Sequence, residues 1–258
     1  MESEGNAMSE DRKFRTICWF SCGAASAVAT KLTLKDDPDA VVAYCETGAE
    51  HPDNERFLQE CEEWFGKTVV RIRSEQYAST WDVWEKRRYL AGINGAPCTS
   101  ELKFVPRLNF QLPSDTHVFG YTNDKSDVNR AKRMLQTYPD MKQRYPLIEY
   151  KLDKRACLAL LMSQGIEVPV MYGLGFQNNN CIPCVKATSP AYWALVRHRF
   201  PEEFNRMANL SRELGARLTR IKGERAFIDE IPDDQPMTDP IAPACDFLCQ
   251  HADEVMED

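Results

Sequence analysis

Short apolar runs recur through the first two thirds of the chain, and segments of helical spacing separate them. RTICWF (15–20), AVVAYC (40–45), TVVRIR (68–73) and THVFGY (116–121) are compact and rich in β-branched and aromatic residues, so they read as strands. SAVATKLTL and DNERFLQECEEWFG lie between the first three and read as helices. In the second, Phe57, Cys61, Trp64 and Phe65 share one face and Gly66 supplies the stop. DKRACLALLMSQG is a further helix, ended by Gly165. The alternation predicts an α/β fold, a doubly wound and mainly parallel sheet with helices on both faces. Such sheets bind ligands beyond the carboxyl ends of their strands, which directs attention to the loops after Phe20, Cys45 and Tyr121.

The pattern changes after about residue 175. GLGFQNNNCIPCVKA is a polar loop bearing cysteines, and a long helical stretch follows from about Ser189 to Leu218, broken at Pro201. The tail DEIPDDQPMTDPIAPACDFLCQ is rich in Pro and Asp and reads as extended. The expected organisation is a disordered lead over 1–13, a nucleotide-binding α/β domain over 14–175, and a helical, cysteine-bearing extension over 176–258.

Charge and cysteine content narrow the classes. The 258 residues carry a formal net charge of -7, which argues against broad electrostatic binding of nucleic acid, although a local basic patch is compatible with it. The N-terminus is polar and no apolar run approaches a membrane span, so a cytoplasmic protein without a membrane partner is expected. Ten cysteines in a reducing compartment suggest metal or sulfur chemistry before disulfides.

The first strand-end loop, FSCGAAS, offers Gly23 for a tight turn, Ser21 and Ser26 as hydroxyl donors, and a following helix N-terminus. Those features suit an anion. They equally suit a small-residue turn that packs a helix on a sheet, and the loop is not a Walker A motif. The second loop, YCETGAEHPDNERF, sets Thr47 and Gly48 where a base or ribose can lie, with Pro52 suited to the first turn of the next helix.

Taken in order with APCTSELKFVPRLNF, these loops resemble the sulfonucleotide reductases, which act on adenosine phosphosulfate (APS) or its 3′-phospho form (PAPS), and their relatives among the ATP pyrophosphatases. Ser21, Gly23 and Ser26 match the family's pyrophosphate loop. Glu46, Thr47, Gly48 and Pro52 match its second segment. Cys98, Lys103 and Pro106 match its Cys-x-x-x-x-Lys-x-x-Pro segment, and Gly120 and Ser126 match its fourth loop, with Arg130 displaced by one residue. The resemblance spans roughly residues 15–185. Ala24 and Ala25 stand where the ATP-cleaving members carry an acidic residue, and Thr122 replaces the first arginine of the fourth loop.

Cys181 and Cys184 form a CxxC in a polar loop, and Cys245 and Cys249 lie in the tail; such sets ligate zinc or iron–sulfur clusters. Cys18, Cys45, Cys61 and Cys157 fall in apolar patterns and read as packing. The resemblance implies an iron–sulfur cluster on Cys98, Cys181 and Cys184, with Cys249 as a tail ligand and Cys245 as the nucleophile, or with Cys245 as the fourth ligand in place of Cys249. The zinc alternative uses Cys181, Cys184, Cys245 and Cys249. Lys186, after the CxxC, is a phosphate contact or a charge that offsets thiolates. Lys86, Arg87 and Arg88 read as a solvated helix face and His51 as a hydrogen-bonded surface residue.

The resulting expectation is a PAPS-reductase-like enzyme that binds ATP, APS or PAPS. Ser21, Gly23 and Ser26 hold its phosphate or sulfate, Thr47, Gly48 and Gly120 line the nucleotide site, and Arg130 supplies positive charge. Lys103 and Cys245 carry sulfur transfer or sulfonucleotide reduction, with a thiol reductant or sulfur-donor protein as partner. The alternatives are an ATP pyrophosphatase that adenylates an acceptor in nucleic-acid modification, and a non-catalytic, zinc-stabilised nucleotide-binding protein.

Overall fold

The computed structural model describes residues 15–93 and 95–244. The lead expected over 1–13 and the tail cysteines Cys245 and Cys249 therefore lie outside the described residues.

The chain runs β1 (Thr16–Trp19), α1 (Ala24–Asp36), β2 (Val41–Cys45), α2 (Asn54–Phe65), β3 (Val70–Ile72) and α3 (Thr80–Arg87). A continuous helical segment follows, α4 (Pro97–Thr99), a π-helical turn (Ser100–Phe104) and α5 (Val105–Phe110). Then come β4 (Thr116–Phe119), α6 (Lys125–Thr137), β5 (Lys142–Arg144), α7 (Pro146–Glu149), α8 (Lys154–Ser163) and α9 (Val170–Gly173). The extension holds α10 (Pro190–Arg199) and α11 (Pro201–Glu213), an antiparallel hairpin of β6 (Thr219–Ile221) and β7 (Glu224–Ala226), and a 3-10 turn (Ile228–Glu230).

Five strands form one sheet in the order β3-β2-β1-β4-β5, and all its pairings are parallel. The order reverses direction at β1, so β1 and β4 flank a switch point, where their carboxyl ends leave a crevice. Trp19 pairs with Phe119 across it. The α/β expectation holds, and the strands predicted at 15–20, 40–45, 68–73 and 116–121 are β1 to β4. The fifth is Lys142-Gln143-Arg144, an edge strand whose polar side chains carry no apolar signal.

The two sheet faces differ. One packs Phe20, Val28, Leu32, Phe57, Leu58 and Leu161 into a core shared by α1, α2 and α8. The other bears an aromatic layer in which Phe119, Ala131 and Tyr145 are buried and Trp19 and Tyr121 are partly covered. The extension has its own core, but that core includes Trp81, Trp84 and Leu90 along with Trp193, Phe204 and Met207. The CxxC loop is thereby anchored beside α3 and α4. Among the described residues no helix is long and apolar enough to cross a membrane.

Candidate active site

A cavity of about 470 Å³ opens at the switch point. It is lined by the loops after β1, β2 and β4, by the α4–α5 segment, and by the CxxC loop.

The β1–α1 loop is pinned by its own hydroxyls. Ser21 N–H and Ser21 Oγ–H both donate to Ser26 Oγ at 3.0 Å, and Ser26 Oγ–H donates to the Gly23 carbonyl at 2.9 Å. Ala24 N–H donates to the Tyr172 hydroxyl at 3.3 Å. The serines thus shape the loop through their own hydrogen bonds. Cys22 has a left-handed φ of 57° and is fully buried, with its thiol donating to the Asn54 carbonyl at 3.3 Å. It ties the loop to the start of α2. Asn179 does the same from the CxxC side: its amide donates to the Cys22 carbonyl and to Asn54 Oδ1, the latter at 2.7 Å.

Gly120 belongs to the site by close approach. A Cβ there would stand 2.6 Å from Ser26 Cα and 2.8 Å from Ser26 N, so only glycine lets the end of β4 lie against the start of α1. Gly48, with φ +65°, lies outside the cavity lining; its bare Cα permits the turn that brings Ala78 close, since a Cβ would stand 2.3 Å from the Ala78 carbonyl oxygen. Its role is conformational, and Thr47 beside it faces the cavity.

Thr47 is 1% exposed and joins the nucleotide loops to the cysteines. Its hydroxyl donates to Glu50, whose carboxylate also accepts Thr47 N–H at 3.0 Å and Ala49 N–H at 3.1 Å. With that proton committed, the Cys181 thiol, 2.9 Å away, donates to Thr47 Oγ1. Ile182 N–H donates to the Ala49 carbonyl at 2.7 Å, and Cys184 N–H to the Tyr192 hydroxyl at 2.7 Å. The CxxC loop is fixed at three points.

Cys98, Cys181 and Cys184 all line the cavity, as do Lys103 and Lys186. Burial pushes the Cys181 thiol up to about 11, opposed by the Lys103 ammonium. Burial also raises Cys98, offset in part by the Trp84 indole and the two lysines and reinforced by Cys184. The Trp84 N–H is buried and makes no hydrogen bond to the neutral thiol. It is an orphaned donor beside a sulfur that would accept it as a thiolate. Cys98, Cys181 and Cys184 have the chemistry of thiolate ligands and border one cavity. Among the described residues, however, no three His, Cys, Asp or Glu side chains form a group able to hold a metal ion. The tail cysteines Cys245 and Cys249 lie outside the described residues.

The sequence reading missed two groups. Cys45, read as packing, lines the cavity, and burial holds its thiol up at about 11 against the pull of Lys103 and Arg107. Arg107 and Lys154 line it as well. Among the described residues that line the cavity, Lys103, Arg107, Arg130, Lys154 and Lys186 stand with the carboxylates of Glu50 and Asp127. A net-negative chain thus concentrates positive charge in one crevice, a pattern that attracts anions. Arg107 directly follows the matched Pro106, so its place beside the motif was the available signal. His51, as expected, is hydrogen-bonded: its Nδ1 accepts Asp53 N–H at 3.1 Å. Lys86, Arg87 and Arg88 make surface ion pairs with Asp82, Glu101 and Glu213.

No family model matches the chain, and no curated protein does. Among solved structures, it is similar to the phosphoadenylyl-sulfate (PAPS) reductase from Candida auris in its phosphate complex. The identity is 11%, over 68% of this chain and 84% of that one, and the TM-score is 0.45.

Proposed function

We propose that the protein is a PAPS-reductase-like enzyme that binds an adenine nucleotide and carries out sulfur transfer or sulfonucleotide reduction, with a cysteine-bound metal centre. One observation carries the reading. Segments far apart in sequence, the serine loop, Thr47, Lys103, Arg130 and the three cysteines Cys98, Cys181 and Cys184, line a single cation-rich cavity at the sheet's switch point.

In this reading Ser21, Gly23 and Ser26 hold the phosphate or sulfate against the first turn of α1, whose leading N–H groups are free of intrahelical partners. Thr47 bounds the nucleoside side. Lys103 and Arg130 neutralise charge that moves onto the phosphate oxygen as it leaves. Cys245 is the nucleophile: its thiolate attacks the sulfur of the sulfonucleotide and an S–S bond forms. The S–O bond breaks, and its electron pair departs on the nucleotide phosphate. A dithiol reductant then displaces sulfite and is itself oxidised to a disulfide. Cys98, Cys181, Cys184 and Cys249 would hold the metal centre. Cys98 borders the cavity with Cys181 and Cys184, which supports a set that includes it. When bound, such a centre would hold these cysteines as thiolates beside the cavity.

The test is anaerobic purification with iron, sulfide and zinc analysis and a visible spectrum, followed by sulfite release from APS and PAPS with a dithiol. Iron, sulfide and sulfite are expected. A colourless protein that takes up no iron on reconstitution and yields no sulfite overturns the reading. Release of AMP and pyrophosphate from ATP would transfer it to the adenylating alternative.

A further inference from the structure

Arg107 is a cation without a counterion. It projects from α5 into the aromatic layer on the second face of the sheet, where its guanidinium carbon lies 5.5 Å from the Trp19 ring centroid, 5.4 Å from Phe104 and 5.6 Å from Phe119. Its Nε is buried with no hydrogen-bond partner. Among the described residues no carboxylate is seen to pair with it, and burial lowers its pKa from the usual guanidinium value. Three aromatic faces attract a guanidinium, but they leave its buried Nε–H without an acceptor. A desolvated charge with unmade hydrogen bonds is destabilising, and natural proteins keep one where something else completes it.

The surroundings show what completes it. Arg107 lines the cavity together with Lys103, one turn earlier on the same helical segment, and Arg130, which stacks on Tyr121 at 4.5 Å. The serine loop opens toward α1, on the opposite side of the sheet from α5 and α6. We propose that Arg107, walled by Trp19, Phe104 and Phe119, is the base of a second oxyanion subsite in this cavity, separate from the Ser21–Ser26 loop, that takes a phosphate- or sulfate-type group. The guanidinium fork matches two oxygens of such a group, and the aromatic walls exclude the water that would otherwise solvate it. The subsite holds whichever nucleotide the serine loop accepts, and it stands if the sulfonucleotide reaction fails.

The experiment is a titration of the purified full chain with inorganic sulfate, followed by thermal melting and by tryptophan fluorescence, since Trp19 touches Arg107. The chain and three variants are compared: Arg107→Met, Arg107→Lys and the double variant Ser21→Ala/Ser26→Ala. Sulfate is expected to raise the melting temperature of the wild type and change its emission. The emission response should persist in the serine double variant. It should weaken by about tenfold or more in Arg107→Met, the loss of one or two charge-assisted hydrogen bonds. Arg107→Lys, which keeps the charge without the fork, should weaken it less. Without sulfate, Arg107→Met should melt at or above the wild-type temperature, because an uncompensated buried charge is gone. Competition with AMP separates two sources: displacement of sulfate from the Arg107 site assigns it to a phosphate of the nucleotide, and joint binding assigns it to a second substrate. An unchanged sulfate half-saturation in both Arg107 variants overturns the proposal. So does a fluorescence response that vanishes in the serine variant alone.

Discussion

Replacement of Gly120 by alanine is the sharpest probe of how this crevice is built. The new methyl would stand 2.6 Å from Ser26 Cα, 2.8 Å from Ser26 N and 3.0 Å from the Ala25 carbonyl carbon. Unstrained carbon contacts lie at about 3.5–4.0 Å, so the backbone of α1 must retreat by roughly 1 Å. All three atoms are main chain, and no rotamer change relieves the contact. Overpacking of this kind costs about 1–3 kcal/mol, and a rigid backbone obstacle argues for the upper half, about 2–3 kcal/mol. At about 2–4 °C per kcal/mol for a chain of this size, the melting temperature should fall by about 4–12 °C. The same shift moves the Ser26 N–H, so nucleotide binding should weaken by about tenfold, the value of one hydrogen bond to an anion. Gly173→Ala is the control. Nothing lies within 4 Å of its added methyl, and it ends helix α9, so it should be neutral or stabilising by up to about 1 kcal/mol. Differential scanning calorimetry and isothermal titration with AMP read both quantities. If Gly120→Ala melts with Gly173→Ala and binds nucleotide like the wild type, the close approach of β4 to α1 is not what shapes the loop.

Three further expectations follow from single contacts. Tyr172→Phe removes the acceptor of Ala24 N–H and should destabilise by about 1–2 kcal/mol, with nucleotide affinity falling alongside; loss of stability with intact affinity would separate Tyr172 from the loop. His117 is held neutral, its pKa lowered to about 4 by burial and by Arg107, and Nδ1 accepts the Trp19 indole N–H at 3.0 Å. Its folded pKa lies below the unfolded value, so the unfolded chain binds the proton first and stability should decline as pH falls from about 6.5 toward about 4. Urea denaturation at stepped pH checks this, and His117→Gln should flatten that part of the curve. In metal-free protein Cys181, with its pKa near 11, should be alkylated by iodoacetamide more slowly at pH 8 than an ordinary exposed thiol; mass spectrometry of the labelled peptide reads the rate, and fast labelling would contradict the burial that holds the thiol protonated.

The sequence by itself determined the α/β alternation, because periodicity is local: RTICWF and AVVAYC declare strands, and Phe57, Cys61 and Phe65 declare one face of a helix with Gly66 as its stop. It also located the loops at the carboxyl ends of β1, β2 and β4, which line the cavity. It did not reveal β5, whose Lys-Gln-Arg has no apolar pattern and which pairs only because β4 offers an edge. Nor did it separate the roles of neighbouring residues. Thr47 and Gly48 adjoin in sequence, yet one faces the cavity and the other permits a turn, a distinction set by the close approach of Ala78. Cys45 looked like packing and Arg107 drew no reading, because burial among distant aromatic rings is not written in local spacing. The tertiary structure alone decided that Arg107 would lie against Trp19 and Phe119, and that Cys98 and Cys181, 83 positions apart, would border one cavity at the switch point. Local pattern sets what each segment becomes; sheet order and core packing set which segments meet.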